Sequence, residues 1–303
     1  MAEAMIIDGH AFAFRAFFGC SFPSYSSEGI PVNALYGFGC FIIKFLERWD
    51  PQKVGFVFDK PGPKFRNEMF PEYKAQRPKA PDDLIAQLPL IMSLVECLGF
   101  PVLAFDGVEA DDVIASLAVK LSGEGDRIRI MSPDKDFCQI LDEGDIVLTK
   151  PPTSGNRDYR NMDSVVFRNE YGFAPPLMVD YLALLGDRAD NVPGVRGIGA
   201  KRASVLVNAY GSLENIYAHL SDLPPSMRLK LENGRESAFM SKKLVKFRTG
   251  LDLTGKCCSE CCLDMERLKR FCSDNNIESL YNRCMNCSVK PGPGHIEEEI
   301  LYL

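Results

Sequence analysis

The chain is poor in histidine, carries no surplus of positive charge and holds no long apolar run, and each shortage closes off a class of function. Three histidines in 303 residues offer little for imidazole chemistry. His10 follows Asp8, but no nucleophile is set beside it, so a structural hydrogen bond is its expected role. No apolar stretch reaches the roughly 18–20 residues of a membrane span. The first residues, Met1 to Asp8, lack the basic stretch of a targeting peptide and enter a strand pattern at once, so an intracellular protein is expected. Collagen-like repeats and long polar tracts are missing too. With 46% hydrophobic and 25% charged residues, the composition is that of an ordinary globular chain.

Cysteine is plentiful, at eleven residues. Without a secretion signal these are expected as reduced thiols rather than a disulfide framework. Cys20, Cys40 and Cys97 stand in apolar context, where a thiol acts as a small hydrophobe, and Cys138 is read the same way rather than as a nucleophile. Cys257, Cys258, Cys261, Cys262, Cys272, Cys284 and Cys287 crowd together in sequence, and two Cys-x-x-Cys pairs among them superficially resemble a zinc ribbon. The intervening segment exceeds the usual ribbon spacing, and 263–286 has the pattern of two amphipathic helices, so zinc is not expected there.

The first half alternates two periodicities. Short apolar runs at 4–7, 53–58, 101–105 and 127–131 suit strands buried on both faces. Helix-length amphipathic stretches at 32–48, 82–98 and 109–121 lie between them, with Pro31 and Pro81 near two helix starts. This predicts an α/β domain with a mostly parallel sheet flanked by helices, spanning 1–174. From about residue 175 helical periods take over, at 177–185, 201–210, 213–219 and 236–247, giving a helical domain over 175–289. A Pro-Gly-Pro-Gly run at 291–294 marks 290–303 as a linker-like tail. The stretch 61–81 is rich in Pro, Lys and Arg with little periodicity, which inside a compact domain is usually functional.

Each expected strand runs into acid at its C-terminal end. Ile7 leads into Asp8, Phe58 into Asp59, Phe105 into Asp106 with Glu109, Asp111 and Asp112 close behind, and Met131 into the region of Asp134 and Asp136. In open parallel sheets the ligand crevice lies outside the carboxyl ends of the strands. Carboxylates delivered there from four strands repel one another. Hard divalent cations relieve that, and an all-oxygen set favours Mg²⁺ or Mn²⁺ over zinc. Any single acid is explained as a turn former or helix N-cap, Asp106 best of all; four independent strand ends are not.

The second half carries Gly194-Val195-Arg196-Gly197-Ile198-Gly199 ahead of a helix that opens Ala200-Lys201-Arg202-Ala203. Glycines let backbone N–H groups approach a phosphate, and a helix N-terminus adds positive potential. A nucleotide P-loop fails because Ala200, not Lys followed by Ser or Thr, comes after Gly199. A dinucleotide fingerprint fails for want of a third glycine and a preceding strand. A ligand-free αα-hairpin is the remaining alternative. A third segment, from Phe65 and Arg66 to Tyr73, Lys74 and Arg77, mixes cations with an aromatic: the cations suit phosphates and Tyr73 suits stacking on a base. A solvated basic loop explains it equally well.

Together these segments resemble the 5′ nuclease family: the 5′→3′ exonuclease domain of bacterial DNA polymerase I, free-standing exonucleases and flap endonucleases. The resemblance runs from Ile6 to about Cys287. It rests on Ile-Asp-Gly-His, Val-Phe-Asp, Phe-Arg-Asn-Glu, Tyr-Lys-Ala-Gln-Arg, Val-Glu-Ala-Asp-Asp-Val, Asp-Lys-Asp and Gly-Asp-x-x-Asp-Asn-Val-Pro-Gly-Val-x-Gly-Ile-Gly. It implies a resolvase-like or PIN-like core with a helix-hairpin-helix module behind it. One metal group would be Asp8, Asp59, Glu109 and Asp111; the other Asp134, Asp136 and Asp190, with Asp112 and Asp187 as further members. Lys74, Arg77 and Arg66 would serve catalysis by steering the phosphate from a helical arch at 61–81, a gateway for a single strand. Gly194, Arg196, Gly197, Ile198 and Gly199, with Lys201, Arg202 and Tyr73, would contact DNA, and K⁺ would sit on the hairpin carbonyls.

A net charge of −6 looks wrong for a partner made of phosphates. Setting aside the nine acids of the two metal groups leaves +3, and bound cations reverse the local field further. The expected activity is two-metal-ion hydrolysis of DNA at free 5′ ends (flaps, nicks and gaps), with RNA primers on DNA as further substrates in replication and repair. It would be the work of a monomer, in the cytoplasm or nucleoid. A non-catalytic DNA-structure binder and a PIN-type ribonuclease are the competing readings. The glycine hairpin and helical module favour duplex DNA over A-form RNA.

Overall fold

The computed structural model describes residues 3–21, 24–153, 158–253, 258 and 264–286. Six strands form one sheet in the order β3-β2-β1-β4-β5-β6. They are β1 (Glu3–Asp8), β2 (Lys53–Val57), β3 (Val102–Leu103), β4 (Arg127–Met131), β5 (Ile146–Lys150) and β6 (Arg160–Met162). All neighbours pair parallel except β5 and β6. The four strands expected from the sequence form the run β3-β2-β1-β4. β5 and the antiparallel edge β6 were not foreseen.

Successive residues of β1 face opposite ways, and each face founds a core. Ala4 and Ile6 join Val57, Ile128 and Ile130 on one side; Met5 and Ile7 join Phe56 and Phe58 on the other. The second face is covered by α1 (Gly9–Gly19), α2 (Asn33–Trp49) and α4 (Asp82–Cys97). Their apolar positions recur at helical spacing, as in Leu35, Phe38, Ile42 and Phe45 of α2. The first face is covered by α5 (Ala110–Gly123), which buries Val113, Ile114, Leu117 and Leu121. Helix α3 (Phe65–Met69) is a single short turn.

After α6 (Ser164–Tyr171) the chain is helical: α7 (Met178–Leu185), α8 (Ala200–Tyr210), α9 (Leu213–Ala218), α10 (Pro225–Asn233) and α11 (Arg235–Val245). Helix α7 packs on α11 and α8. The chain then returns to the second face, where α12 (Met265–Asp274) meets α4 and α13 (Glu278–Asn286) meets α2. These are the two helices expected at 263–286. Cys258 lies buried in the first core and Cys284 in the second, so these two cysteines lie on different faces of the sheet. Cys257, Cys261, Cys262 and Cys287, and the expected tail at 290–303, lie outside the described residues.

Candidate metal centre and nucleic-acid interface

The strand order reverses at β1, which has β2 on one side and β4 on the other. The crevice at that switch point is where the acids gather. Asp8 ends β1 and caps α1, accepting a hydrogen bond from the Ala11 N–H at 3.0 Å and another from the Ser132 hydroxyl at 2.8 Å. Asp59 follows β2; its Oδ1 accepts from the Ala110 N–H at 3.0 Å and lies 3.5 Å from Lys64 Nζ. Glu109, just ahead of α5, is held by Arg66 at 3.0 Å and Lys74 at 3.2 Å. Asp134 and Asp136 follow β4, and the Asp136 N–H donates to Asp134 Oδ1 at 2.9 Å.

Asp187 and Asp190 arrive from the helical half. Glu109, Asp111, Asp134, Asp136, Asp187 and Asp190 line one cavity of about 10 Å³. Burial, with Asp134 and Asp59 nearby and two hydrogen bonds opposing, pushes the Asp8 carboxyl up to about 6. Burial and then Asp134 push Asp136 up to about 7. Asp111 is raised by burial, and by Asp134, Asp8 and Glu109, against the pull of Lys74. Asp136 Oδ1 is buried with no hydrogen-bond partner; its nearest cation is Lys135 Nζ at 3.6 Å.

A divalent cation fits this donor set. Crowded carboxylates, an orphaned buried oxygen and proton affinities raised by like charge are all relieved by one hard ion. Among the described residues no group of three acid, histidine or cysteine side chains closes as a finished coordination shell. Cations of the protein stand among the acids: Lys74 lies 3.9 Å from Asp190, Lys135 lies 3.3 Å from Asp187, and Arg77 pairs with Asp190.

Several expected site residues sit differently from their sequence reading. Arg66 is 1% exposed and forks onto Asp112, itself fully buried. Arg66 lines the cavity but spends its fork within the protein, and Asp112 is its counter-ion. Tyr73 is 5% exposed, packed in the core with its hydroxyl 3.4 Å from Glu109, so it presents no face to a base. The expected arch is helical only over Phe65–Met69. Beyond it the chain lies down on the acids. The Lys74 N–H donates to the Asp190 carbonyl at 2.9 Å, Gln76 donates to Asn191 at 3.1 Å, and Asn191 donates to the Glu72 carbonyl at 2.8 Å.

At the hairpin Arg196, Gly197, Gly199, Lys201 and Arg202 are exposed, while Gly194 and Ile198 are buried. A β-carbon on Gly194 would come within 2.5 Å of the Gly186 nitrogen, so Gly194 serves the close crossing of two backbones. Ile198 pins the turn to the core. Gly197 holds a φ of +84°, the left-handed region that favours glycine. Gly199 does not: its φ is −95° and a β-carbon would meet nothing within 4 Å. Of the two, only Gly197 needs glycine for its backbone conformation.

Sequence reasoning missed Ser132, Lys64 and Lys135, which hold Asp8, Asp59 and the Asp136–Asp187 pair. Lys135 was legible, standing between two acids of a motif already singled out. His10 has its expected role: it accepts the Asp59 N–H at Nδ1 at 3.0 Å, and burial lowers its proton affinity.

Residues 3–172 match the model of the 5′-3′ exonuclease N-terminal resolvase-like domain, and residues 173–265 that of the 5′-3′ exonuclease C-terminal SAM fold. The chain is 39% identical over 258 residues to a 5′-3′ exonuclease of Aquifex aeolicus, covering 84% of each. It is 41% identical over 251 residues to a thermostable DNA polymerase I of Thermus thermophilus, covering 83% of this chain and 29% of that protein. It thus spans less than a third of the polymerase relative's length. The fold matches bacteriophage T5 5′-exonuclease with bound divalent metal ions (zinc), at TM-score 0.66 and 23% identity over 92% of this chain and 99% of that one. It also matches the catalytic core of Rad2 in complex with DNA substrate, at TM-score 0.66 and 18% identity over 94% and 92%. The chain belongs to the 5′-3′ exonuclease family.

Proposed function

We propose that the chain is a Mg²⁺-dependent 5′→3′ exonuclease and 5′-flap endonuclease acting on DNA, with Mn²⁺ able to substitute. The observation that carries this is one cavity lined by acids from β-strand ends and from the helical half, where a buried Asp136 oxygen accepts no hydrogen bond. Asp8, Asp59, Glu109 and Asp111 would hold one ion, and Asp134, Asp136, Asp187 and Asp190 the other. Two such ions supply Lewis acidity to a phosphodiester and a hydroxide source at neutral pH.

The protein's own groups do the rest. Lys74 pairs with Glu109 and Arg77 with Asp190, two acids that line the cavity, and from there they would stabilise charge as it builds on the phosphate oxygens. Arg196, Lys201 and Arg202, exposed around the Gly197 turn, hold the duplex backbone. No covalent nucleophile is needed. K⁺ at the hairpin would compete with Arg202, whose Nη1 donates to the Gly197 carbonyl at 2.9 Å; comparing duplex affinity in K⁺ and Na⁺ at equal ionic strength tests it. We divide the chain near residue 174 into a nuclease part and a DNA-binding part acting as a monomer, with flaps, nicks, gaps and primer RNA on DNA as substrates, in the cytoplasm or nucleoid. Among the described residues no helix is long and apolar enough to cross a membrane.

The test is labelled 5′-flap DNA beside matched RNA, with Mg²⁺ and with chelator. Mg²⁺-dependent products from the 5′ side of the DNA are expected. Cleavage of RNA alone, or DNA binding without cleavage, would refute the proposal.

A further inference from the structure

We infer that Arg66 is a positioning residue that ties the Glu109 carboxylate to the end of α11, so that the seating of the helical half sets the geometry of the acidic centre. The inference rests on the nuclease reading above. All five N–H donors of the guanidinium are used. Nε donates to the Leu244 carbonyl at 2.6 Å, Nη1 to Glu109 at 3.0 Å and Asp112 at 2.7 Å, and Nη2 to Asp112 at 2.8 Å and the Lys246 carbonyl at 2.9 Å. No donor is left for a phosphate, and the side chain is 1% exposed.

The fork is planar and rigid, so it fixes three segments at once: the base of the 61–81 stretch, the start of α5 and the backbone that follows α11. Nη1 is shared between Asp112 and Glu109, so the guanidinium cannot shift toward one without drawing the other. The backbone after α11 is tied down twice more. The Arg248 N–H donates to Asp112 at 2.9 Å, and the Ser116 hydroxyl donates to the Arg248 carbonyl at 2.6 Å. Gln139 then links the same backbone to the other acid group. Its amide donates to the Val245 and Asp136 carbonyls at 3.1 and 3.0 Å, and its carbonyl accepts the Phe247 N–H at 2.9 Å. The strip 244–248 therefore holds both halves of the acidic centre in register with the helical module.

Removing Arg66 alone would leave buried acid uncompensated and could unfold the chain. The decisive variant is therefore Arg66→Met combined with Asp112→Leu, which removes the buried pair together. Single-turnover cleavage of 5′-flap DNA against Mg²⁺ concentration, duplex affinity in Ca²⁺, the Mg²⁺-induced rise in melting temperature and amide hydrogen exchange over 244–248 are measured. We expect a folded protein whose duplex affinity stays within about threefold. Its cleavage rate should fall, or its Mg²⁺ requirement rise, by about 10–100-fold, the scale for partners that orient metal-holding side chains. Exchange at 244–248 should quicken. Arg66→Lys, with the charge but not the fork, should recover only part of the rate.

A double variant with the parental rate, Mg²⁺ response and exchange would overturn the inference, as would full recovery by lysine. A defect wholly in duplex affinity would return Arg66 to the phosphate. If the parent cleaves no DNA, the nuclease reading fails instead, and the Mg²⁺ melting shift still tests positioning without turnover.

Discussion

Asp136→Asn should make the chelated protein more stable while weakening its response to Mg²⁺. The Asp136 side chain is 16% exposed, one of its oxygens has no hydrogen-bond partner, and burial, then the charge of Asp134, raises its carboxyl from 3.8 to about 7. An acid whose proton affinity rises on folding favours the folded state when protonated. Its contribution is full below pH 3.8 and lost as pH climbs through 7. A gap of about 3 units at about 1.4 kcal/mol each bounds the cost of ionisation at about 4 kcal/mol. Relaxation of the site around the charge, and the burial of an amide in its place, reduce the recoverable part to roughly 1–3 kcal/mol.

For a chain of this size that is a rise in Tm of about 2–4 °C per kcal/mol, measured by calorimetry in chelator at pH 7.5. At pH 5.5 the parental acid is protonated in the folded state, so the advantage of asparagine should shrink by roughly half. Added Mg²⁺ should raise the parent's Tm and raise the variant's by less, since Asp8, Asp59, Glu109 and Asp111 remain to hold one ion. An asparagine variant that melts below the parent in chelator, or whose difference does not shrink with acid, would refute the electrostatic argument.

Other substitutions separate the roles of neighbouring residues. Lys74→Ala should slow single-turnover cleavage at least about a hundredfold with a much smaller change in binding; a loss confined to affinity would make Lys74 a binding residue. Asp59→Asn should abolish Mg²⁺-dependent cleavage and keep duplex affinity within a few-fold, and near-native turnover would remove Asp59 from the metal group. Gly197→Ala strains a left-handed turn, costing about 1 kcal/mol, and should weaken duplex binding with a flatter salt dependence. Gly199→Ala enters open space and should leave melting unchanged within about 0.5 kcal/mol; equal effects at the two glycines would contradict the turn geometry.

The framework was legible where periodicity and partner agreed. β4 (Arg127–Met131) falls where its apolar run lies, and α2, α4 and α5 fall within a few residues of theirs. The acids of the first half were legible because they follow strand ends, a position tied to the ligand crevice of a parallel sheet; Asp187 and Asp190, which follow α7, were named only through the family resemblance. Helix α1 was missed because Gly-His-Ala-Phe-Ala-Phe-Arg-Ala-Phe-Phe-Gly alternates like a strand; only packing against α2 makes it helical. β5 lies in a stretch left unassigned between the last expected strand and the helical half, and it gains its place by pairing with β4. Arg66 and Tyr73 were misplaced for a different reason. Residue type names the chemistry a side chain can do, but its burial is decided by segments over a hundred residues away. Asp112 shows the same limit, since its role depends on which cation reaches it first.

Magnitudes decide which cations of the 61–81 stretch can serve a substrate. The side chains of Arg77, Lys74 and Arg66 are 51%, 22% and 1% exposed. An ion pair as open as Arg77 with Asp190 contributes at most about 1 kcal/mol, and screening by salt reduces it. Lys74 is held in a left-handed backbone at φ 58°, a conformation costing about 1 kcal/mol or more outside glycine. Its pairing with Glu109 and Asp190 is therefore partly offset by strain. On the proposed reading, incoming phosphates and divalent ions would replace both contacts, freeing the two cations as the acids acquired metal. Arg66 has no such exchange open to it. Drawing it out would strand two buried carboxylates at roughly 3–5 kcal/mol and break two carbonyl contacts besides. On the proposed reading, one short stretch thus contains a fixed cation that would shape the site and two exchangeable ones that would meet the phosphate, and burial tells the three apart.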